Sequence, residues 1–214
     1  MLASKLKVKG TLAGAAVLSA LASTVSYADV LSTTFASNNA RRGNMFDITV
    51  ANALTIQSFD VNLASNLTKD IFIYYKTGTW VGFDTNASAW TLLGSASVTS
   101  AGNDIPTAVD TPDLALAAGN YALFVTTDGS TPGAILYTNG TTSFSDANLT
   151  IFSGGGTAVP FVDGAIDDRI WNGNIHYSLS AVPEPETYAM MLAGLGLLGF
   201  AARRRKQKTE VAAA

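Results

Sequence analysis

Between positions 29 and 182 the chain offers one histidine, no cysteine and no glutamate, which narrows the chemistry it can do. Hydrolytic catalysis needs a nucleophile with a base, or a proton donor and acceptor, held within hydrogen-bond reach. His176 stands in Asn174-Ile175-His176-Tyr177-Ser178-Leu179, where alternation turns Ile175, Tyr177 and Leu179 inward and leaves His176 on the polar face. One histidine completes no common metal site, so His176 reads as a solvated strand residue. No G-x-S-x-G elbow occurs. Aspartates are denser: Asp163, Asp167 and Asp168 cluster beside Arg169. A pair of carboxylates can hydrolyse a glycan as acid and nucleophile or base, and their oxygens are hard ligands suited to calcium. The same residues also make an ordinary polar loop ahead of a last strand. The cluster lacks the spacing of an EF-hand, and Asp84-Thr85-Asn86-Ala87-Ser88 alternates oxygen ligands without the turn glycine.

Aromatic residues suggest a different activity. Trp80, Trp90, Trp171, Tyr74 and Tyr75 could form a stacking platform, because aromatic faces are flat and apolar like the faces of sugar rings. Trp80, between Thr79 and Gly82, and Trp171, followed by Asn172-Gly173, are the best placed for exposure, with Tyr74 as a third. Packing in a β core is the competing role for all of them. Gly154-Gly155-Gly156 lacks the Lys and Ser/Thr of a phosphate loop and reads as a flexible turn. No cofactor motif is present.

These residues must be positioned by strands, since period-2 patterning recurs and helical periodicity is nearly absent. Leu54 to Leu63 places Phe59, Val61 and Leu63 on one face with Asp60 and Asn62 on the other. Ile71-Phe72-Ile73-Tyr74-Tyr75 is apolar on both faces and suits a central strand. Trp90 to Val98, Asn120 to Thr126, Ala134 to Tyr137, Ala147 to Phe152 and Ile170 to Leu179 complete the set. Turn signals separate them at Thr77-Gly78, Asp84-Thr85-Asn86, Ala101-Gly102-Asn103, Asp128-Gly129-Ser130 and Asn139-Gly140. Leu114 to Val125 reads as two strands joined by a glycine-containing turn, with a short helix over Thr111 to Ala117 as the alternative for its first half. Many short strands at this spacing predict an all-β domain, a single β-sandwich or jelly roll.

Charge divides the chain into the same three parts. Residues 29–182 carry five basic residues (Arg41, Arg42, Lys69, Lys76, Arg169) against thirteen Asp, a net charge of −8, whereas the whole chain is at −3. The difference lies in basic residues at the two ends. An acidic surface argues against nucleic acid as a partner. At the front, Lys5, Lys7 and Lys9 precede an apolar run from Thr11 to Leu21 and the small-x-small triplet Ser26-Tyr27-Ala28. This is the layout of a secretory signal peptide over 1–28, cut by signal peptidase between Ala28 and Asp29. At the back, Pro183-Glu184-Pro185 enforces an extended segment. An apolar stretch follows over 187–202, and Arg203, Arg204, Arg205 and Lys206 stop it, opening a basic end over 203–214 that favours the cytoplasmic face. A helix over 187–202 would rise about 24 Å, against a hydrocarbon core of about 30 Å.

The proline-glutamate-proline motif, the apolar helix and the arginine cluster, in that order, resemble the PEP-CTERM sorting signal of Gram-negative bacteria. The resemblance covers 183–214 and leaves the body over 29–182 without a family. It implies a transmembrane helix that holds an exported protein in the inner membrane until an exosortase cuts near Pro183-Glu184-Pro185. The body then passes to the cell surface or outside. It also implies an exopolysaccharide setting, and with it a structural or adhesive matrix protein without enzymatic activity. A carbohydrate- or calcium-binding module and an Asp-dependent glycan hydrolase are the alternatives.

Overall fold

The computed structural model describes residues 29–130, 133–179, 191–200 and 203. The body consists almost wholly of strands: β1 (Asp29–Ser32), β2 (Asn39–Arg41), β3 (Gly43–Val50), β4 (Leu54–Asn62), β5 (Thr68–Thr77), β6 (Thr91–Thr99) and β7 (Pro106–Leu116) form its first half. The second half holds β8 (Gly119–Thr127), β9 (Ile135–Asn139), β10 (Ser143–Ser145), β11 (Leu149–Phe152), β12 (Gly154–Thr157), β13 (Ile166–Trp171) and β14 (Gly173–Leu179). One 3-10 turn, Ala87–Ala89, interrupts them.

The strands make two antiparallel sheets. The smaller runs β1-β14-β4-β7; the larger runs β2-β9-β13-β12-β3-β8-β5-β6, with β11 on the second half of β3 and β10 on β11. The inner face of the small sheet supplies Leu54, Ile56, Phe59 and Val61 from β4, Val109 and Leu114 from β7, and Ile175 and Tyr177 from β14. These lie in one hydrophobic cluster with Phe46, Ile48, Ile71, Ile73, Leu123 and Val125 of the large sheet. Alternation accounts for it, because residues two apart on a strand share a face.

The large sheet is apolar on its other face too. Met45, Ala122 and Phe124, one position out of phase with the main core, form a second cluster with Trp80 and Trp90. Tyr74, Phe161 and Ala165 pack against it, so the segments after β5 and after β12 cover this face. Strands buried on both sides have no polar side to display, which explains the continuous apolar run of β5 and the six buried residues at the end of β8.

Several sequence expectations change here. Ile170 to Leu179 is two strands: β13 belongs to the large sheet and β14 to the small one, with the break at buried Asn172. Residues Thr111 to Leu116 are strand, which removes the helical alternative there. Gly154-Gly155-Gly156 is not a flexible turn but the buried strand β12. A β-carbon on Gly154 would stand 1.8 Å from the carbonyl oxygen of Met45, so only glycine permits this approach of β12 to β3.

The predicted signal peptide over 1–28 lies outside the described residues. Of the helix expected over 187–202, residues 191–200 are described, helical and exposed, and Arg203 is helical as well. The 191–200 segment rises about 15 Å at about 1.5 Å per residue. Among the described residues no helix is long and apolar enough to cross a membrane.

Candidate functional site

The two ends of the body leave from adjacent strands. β1 pairs antiparallel with β14, placing Asp29 opposite Tyr177 and Ser32 opposite Asn174. The first residue after the expected signal cleavage therefore sits at the same end of the small sheet as Leu179, the last residue of β14. Pro183 follows Leu179 by four positions; covalent reach alone limits their separation to about 14 Å. Pro183, Glu184 and Pro185 lie outside the described residues, as do Ala28, Arg204, Arg205 and Lys206. Arg203 is exposed.

A hydrogen-bonded corner secures this end. The Tyr177 hydroxyl donates to Asp146 Oδ2 at 2.6 Å, and Asp146 Oδ1 accepts from the backbone N–H groups of Asn148 and Leu149, each at 2.8 Å. Burial and the Asp146 carboxylate push the Tyr177 hydroxyl up to about 12. Burial opposes ionisation of Asp146, but the hydrogen bonds from Tyr177, Asn148 and Leu149 outweigh it and lower its pKa.

The candidate sugar-stacking residues are not a platform. Trp171 is 1% exposed and stacks on Phe46, with ring centroids 4.5 Å apart and planes at 12°. Trp80 is 6% exposed although it lies in a loop. Asp47 holds that loop down, accepting from the Trp80 N–H at 2.9 Å and from Thr79 Oγ1 at 2.6 Å. Tyr74 is half-buried, edge-on to Phe161 at 5.1 Å, and burial raises its pKa. Their role is packing, not presentation of flat faces to solvent.

The aspartate candidates do not converge either. Among the described residues no group of three or more His, Cys, Asp or Glu side chains is arranged to hold a metal ion. Asp168 has φ 60°, accepts from Thr141 Oγ1 at 2.8 Å, and offers its carbonyl to Gly140 N and Arg169 Nη1. Asp163 and Asp167 are exposed. In the Asp84 to Ser88 segment, Asp84 Oδ2 accepts from Ala165 N at 2.8 Å and Asn86 Oδ1 accepts from Ser88 Oγ at 2.7 Å. These carboxylates and amides stabilise loops.

His176 occupies the outer face of the small sheet as alternation predicts, but it is not freely solvated. Its Nε2 lies 2.8 Å from Asp60 Oδ2, which also accepts from Asn174 Nδ2 at 2.7 Å. Asp60, on neighbouring β4, stands in register with Asn174. This pair was hidden from the sequence because the two residues are 116 positions apart.

Residues 181–206 match the PEP-CTERM protein-sorting motif. No curated protein matches the chain.

Proposed function

From a chain that carries a PEP-CTERM protein-sorting motif at residues 181–206, we infer an exported protein that an exosortase processes and delivers to the cell surface or the extracellular matrix. Its non-enzymatic body serves there as a structural or adhesive element. In this reading 1–28 is a removed signal peptide, 29–182 a single two-sheet β-sandwich, and 183–214 a tail held in the inner membrane until it is cut. The observation that carries it is the match at 181–206, which begins two positions after the end of β14.

The body's build supports the reading. One hydrophobic cluster draws on both sheets, without a disulfide, as the chain has no cysteine. The acidic surface suits a soluble passenger and disfavours nucleic acid and anionic lipid. Exopolysaccharide is the partner expected of such a setting.

Replacing Pro183, Glu184 and Pro185 by alanine in the native cell tests the route. Membrane fractionation is expected to find the variant trapped in the inner membrane while the parent chain appears at the surface or in the medium. Normal surface appearance of the variant would contradict the reading.

A further inference from the structure

Three of the body's five cations gather around one edge of the large sheet. Arg41 ends β2, Arg42 is the residue between β2 and β3, and Arg169 lies on β13. The stems of Arg41 and Arg169 meet the Tyr137 ring above Gly156. A β-carbon on Gly156 would lie 3.0 Å from Arg41 Cδ, 3.4 Å from Tyr137 Cε1 and 3.5 Å from Arg169 Cγ. Arg169 also stands 5.7 Å from the Tyr137 ring centroid. A glycine beneath them leaves the space the two stems occupy.

Among the described residues no carboxylate lies within 4.0 Å of these guanidinium groups; Asp128, whose pKa is lowered by hydrogen bonds from Ser130, also feels the Arg42 charge from farther away. Among the described residues the one contact within 4.0 Å between a carboxylate and a basic side chain is His176 with Asp60, on the other sheet. The other cations have local partners. Lys69 donates to Ser130 Oγ and Lys76 to the carbonyls of Thr77 and Thr79. Arg42 donates to the Ala158 carbonyl, and Arg169 to those of Asp167 and Asp168. Arg41 alone among the described cations of the body has no hydrogen bond from its guanidinium. It lines a cleft of about 270 Å³ together with Asn39, Ala40, Arg42, Gly133 and Ala158.

A second observation points the same way. Seven buried side-chain atoms without a partner lie in this part of the sheet, Arg42 Nε, Asn44 Nδ2 and Oδ1, Tyr137 Oη, Thr157 Oγ1, Arg169 Nε and Trp171 Nε1; of their residues only Arg42 lines the cleft, and Thr157 faces the opposite side of β12 from Gly156. Asn44 is in register with Gly156, Thr157 with Gly43, and Trp171 with Tyr137. Four of these seven atoms only donate and just one only accepts. The region therefore has an excess of donors and of positive charge within an acidic body.

We propose that this edge is an oxyanion-binding site, with Arg41 as the primary contact, and that it takes a carboxylate or sulfate borne by an anionic glycan. A guanidinium presents a rigid fork of N–H donors that matches a carboxylate or sulfate bidentately. Arg42 and Arg169 supply positive potential beside it, while the Asn39 amide at the cleft rim is held by Asn139 and by the Ala40 N–H. The body's net charge of −8 disfavours polyanions over most of its surface, but the basic ends of the full chain attract them, so the local site is read from the difference between the parent and Arg41→Gln, which share those ends. The assignment concerns binding by the purified chain and stands apart from the sorting route.

The test is retention of the full chain, purified in detergent, on immobilised polygalacturonate, dextran sulfate and neutral dextran. Free citrate and free sulfate serve as competitors. Binding is expected to one or both anionic polymers and not to dextran, to weaken at high salt, and to fall about tenfold in Arg41→Gln. Lys69→Gln, which removes the same charge elsewhere, is expected to bind within about twofold of the parent. A polygalacturonate ligand is released when its carboxylates protonate below about pH 4, whereas a sulfate ligand is not. Competition by the small anions at low concentration would mean that the oxyanion alone suffices; its absence would mean that the sugar chain contributes, and both leave the site assigned. The Arg41 guanidinium makes no hydrogen bond, so thermal unfolding of Arg41→Gln is expected to match the parent. Equal loss in Arg41→Gln and Lys69→Gln, equal retention on dextran, or no retention on either polyanion would overturn the proposal.

Discussion

Placing alanine at each of the three consecutive glycines of β12 separates a buried strand from a flexible turn. At Gly154 the added β-carbon would lie 1.8 Å from the Met45 carbonyl oxygen and 2.7 Å from Phe46 Cα, where ordinary contact begins at 3.4 Å. Both obstacles are backbone of β3, so β12 itself must shift by more than an ångström. Its three-residue register with β3, Gly155 on Met45, Gly156 on Asn44 and Thr157 on Gly43, would then be disrupted. At about 1 kcal/mol per ladder hydrogen bond, Gly154→Ala costs about 3 kcal/mol. At Gly155 the clash is at 2.8 Å with Ala165 Cβ, which moves only with its backbone, and with Trp80 Cη2, the end of a packed ring, for about 1 to 3 kcal/mol. At Gly156 the nearest atom is Arg41 Cδ at 3.0 Å, part of a flexible stem. There the loss of backbone freedom in the unfolded chain offsets the crowding, and the change is about 0.5 kcal/mol or less. Thermal unfolding followed by circular dichroism reads the series, since about 1 kcal/mol shifts the midpoint by about 2 to 4 °C in a chain of this size. Three midpoints within 2 °C of the parent would refute the assignment of Gly154–Thr157 as a buried strand.

Trp171→Ala removes a fully buried ring from its stack on Phe46 and is expected to cost about 3 to 5 kcal/mol in thermal unfolding; unchanged stability would return Trp171 to the surface. Tyr177→Phe is expected to cost about 2 kcal/mol by breaking the bond to Asp146. Because Tyr177 titrates at about 12 against an ordinary 10.0, its contribution is complete below pH 10 and is lost as pH rises through 12. Alkaline melts of Tyr177→Phe should therefore lack that slope. Hydrogen bonds from Ser37 and Asn62 hold the Asp104 carboxyl below its ordinary 3.8. Its contribution is present above that value and disappears as pH falls below it, so the acid slope of stability should shrink in Asp104→Asn. Deleting residues 180–182 would bring the end of β14 against the protease and slow removal of the tail, while inserting six Gly-Ser residues there would not. Immunoblots of the precursor and product bands distinguish the two.

Where one face of a strand is buried and the other wet, the sequence displayed it: Phe59 and Val61 against Asp60 predict β4 within one residue of its end. Missing from the sequence expectation is β3, although Phe46, Ile48 and Val50 alternate with Asp47 and Thr49. Its first residues, Gly43 to Met45, are buried on both faces and show no period. The strand character of β12 is not visible in three glycines, because what demands them is the backbone of β3 more than a hundred positions earlier. The same limit governed the candidate sites. Trp80 looks exposed because its neighbours are turn residues, yet Asp47 draws the loop onto the outer face of the large sheet. Asp163, Asp167 and Asp168 are close in sequence, but a left-handed backbone at Asp168 and its bond to Thr141 assign that side chain to a turn. Conversely, Arg41 and Arg169 meet only because β2, β9, β13 and β12 lie side by side. The tail was legible because a sorting signal is read as a linear order of residues.

The most direct test of the central claim is the intact mass, with sequencing of both termini, of the protein recovered from the surface or medium of its native cell. Export followed by exosortase processing predicts a chain that begins at Asp29 and ends close to Pro183-Glu184-Pro185, without Arg203 to Lys206. A surface form that retains the arginine cluster, or one that still carries residues 1–28, would contradict the account.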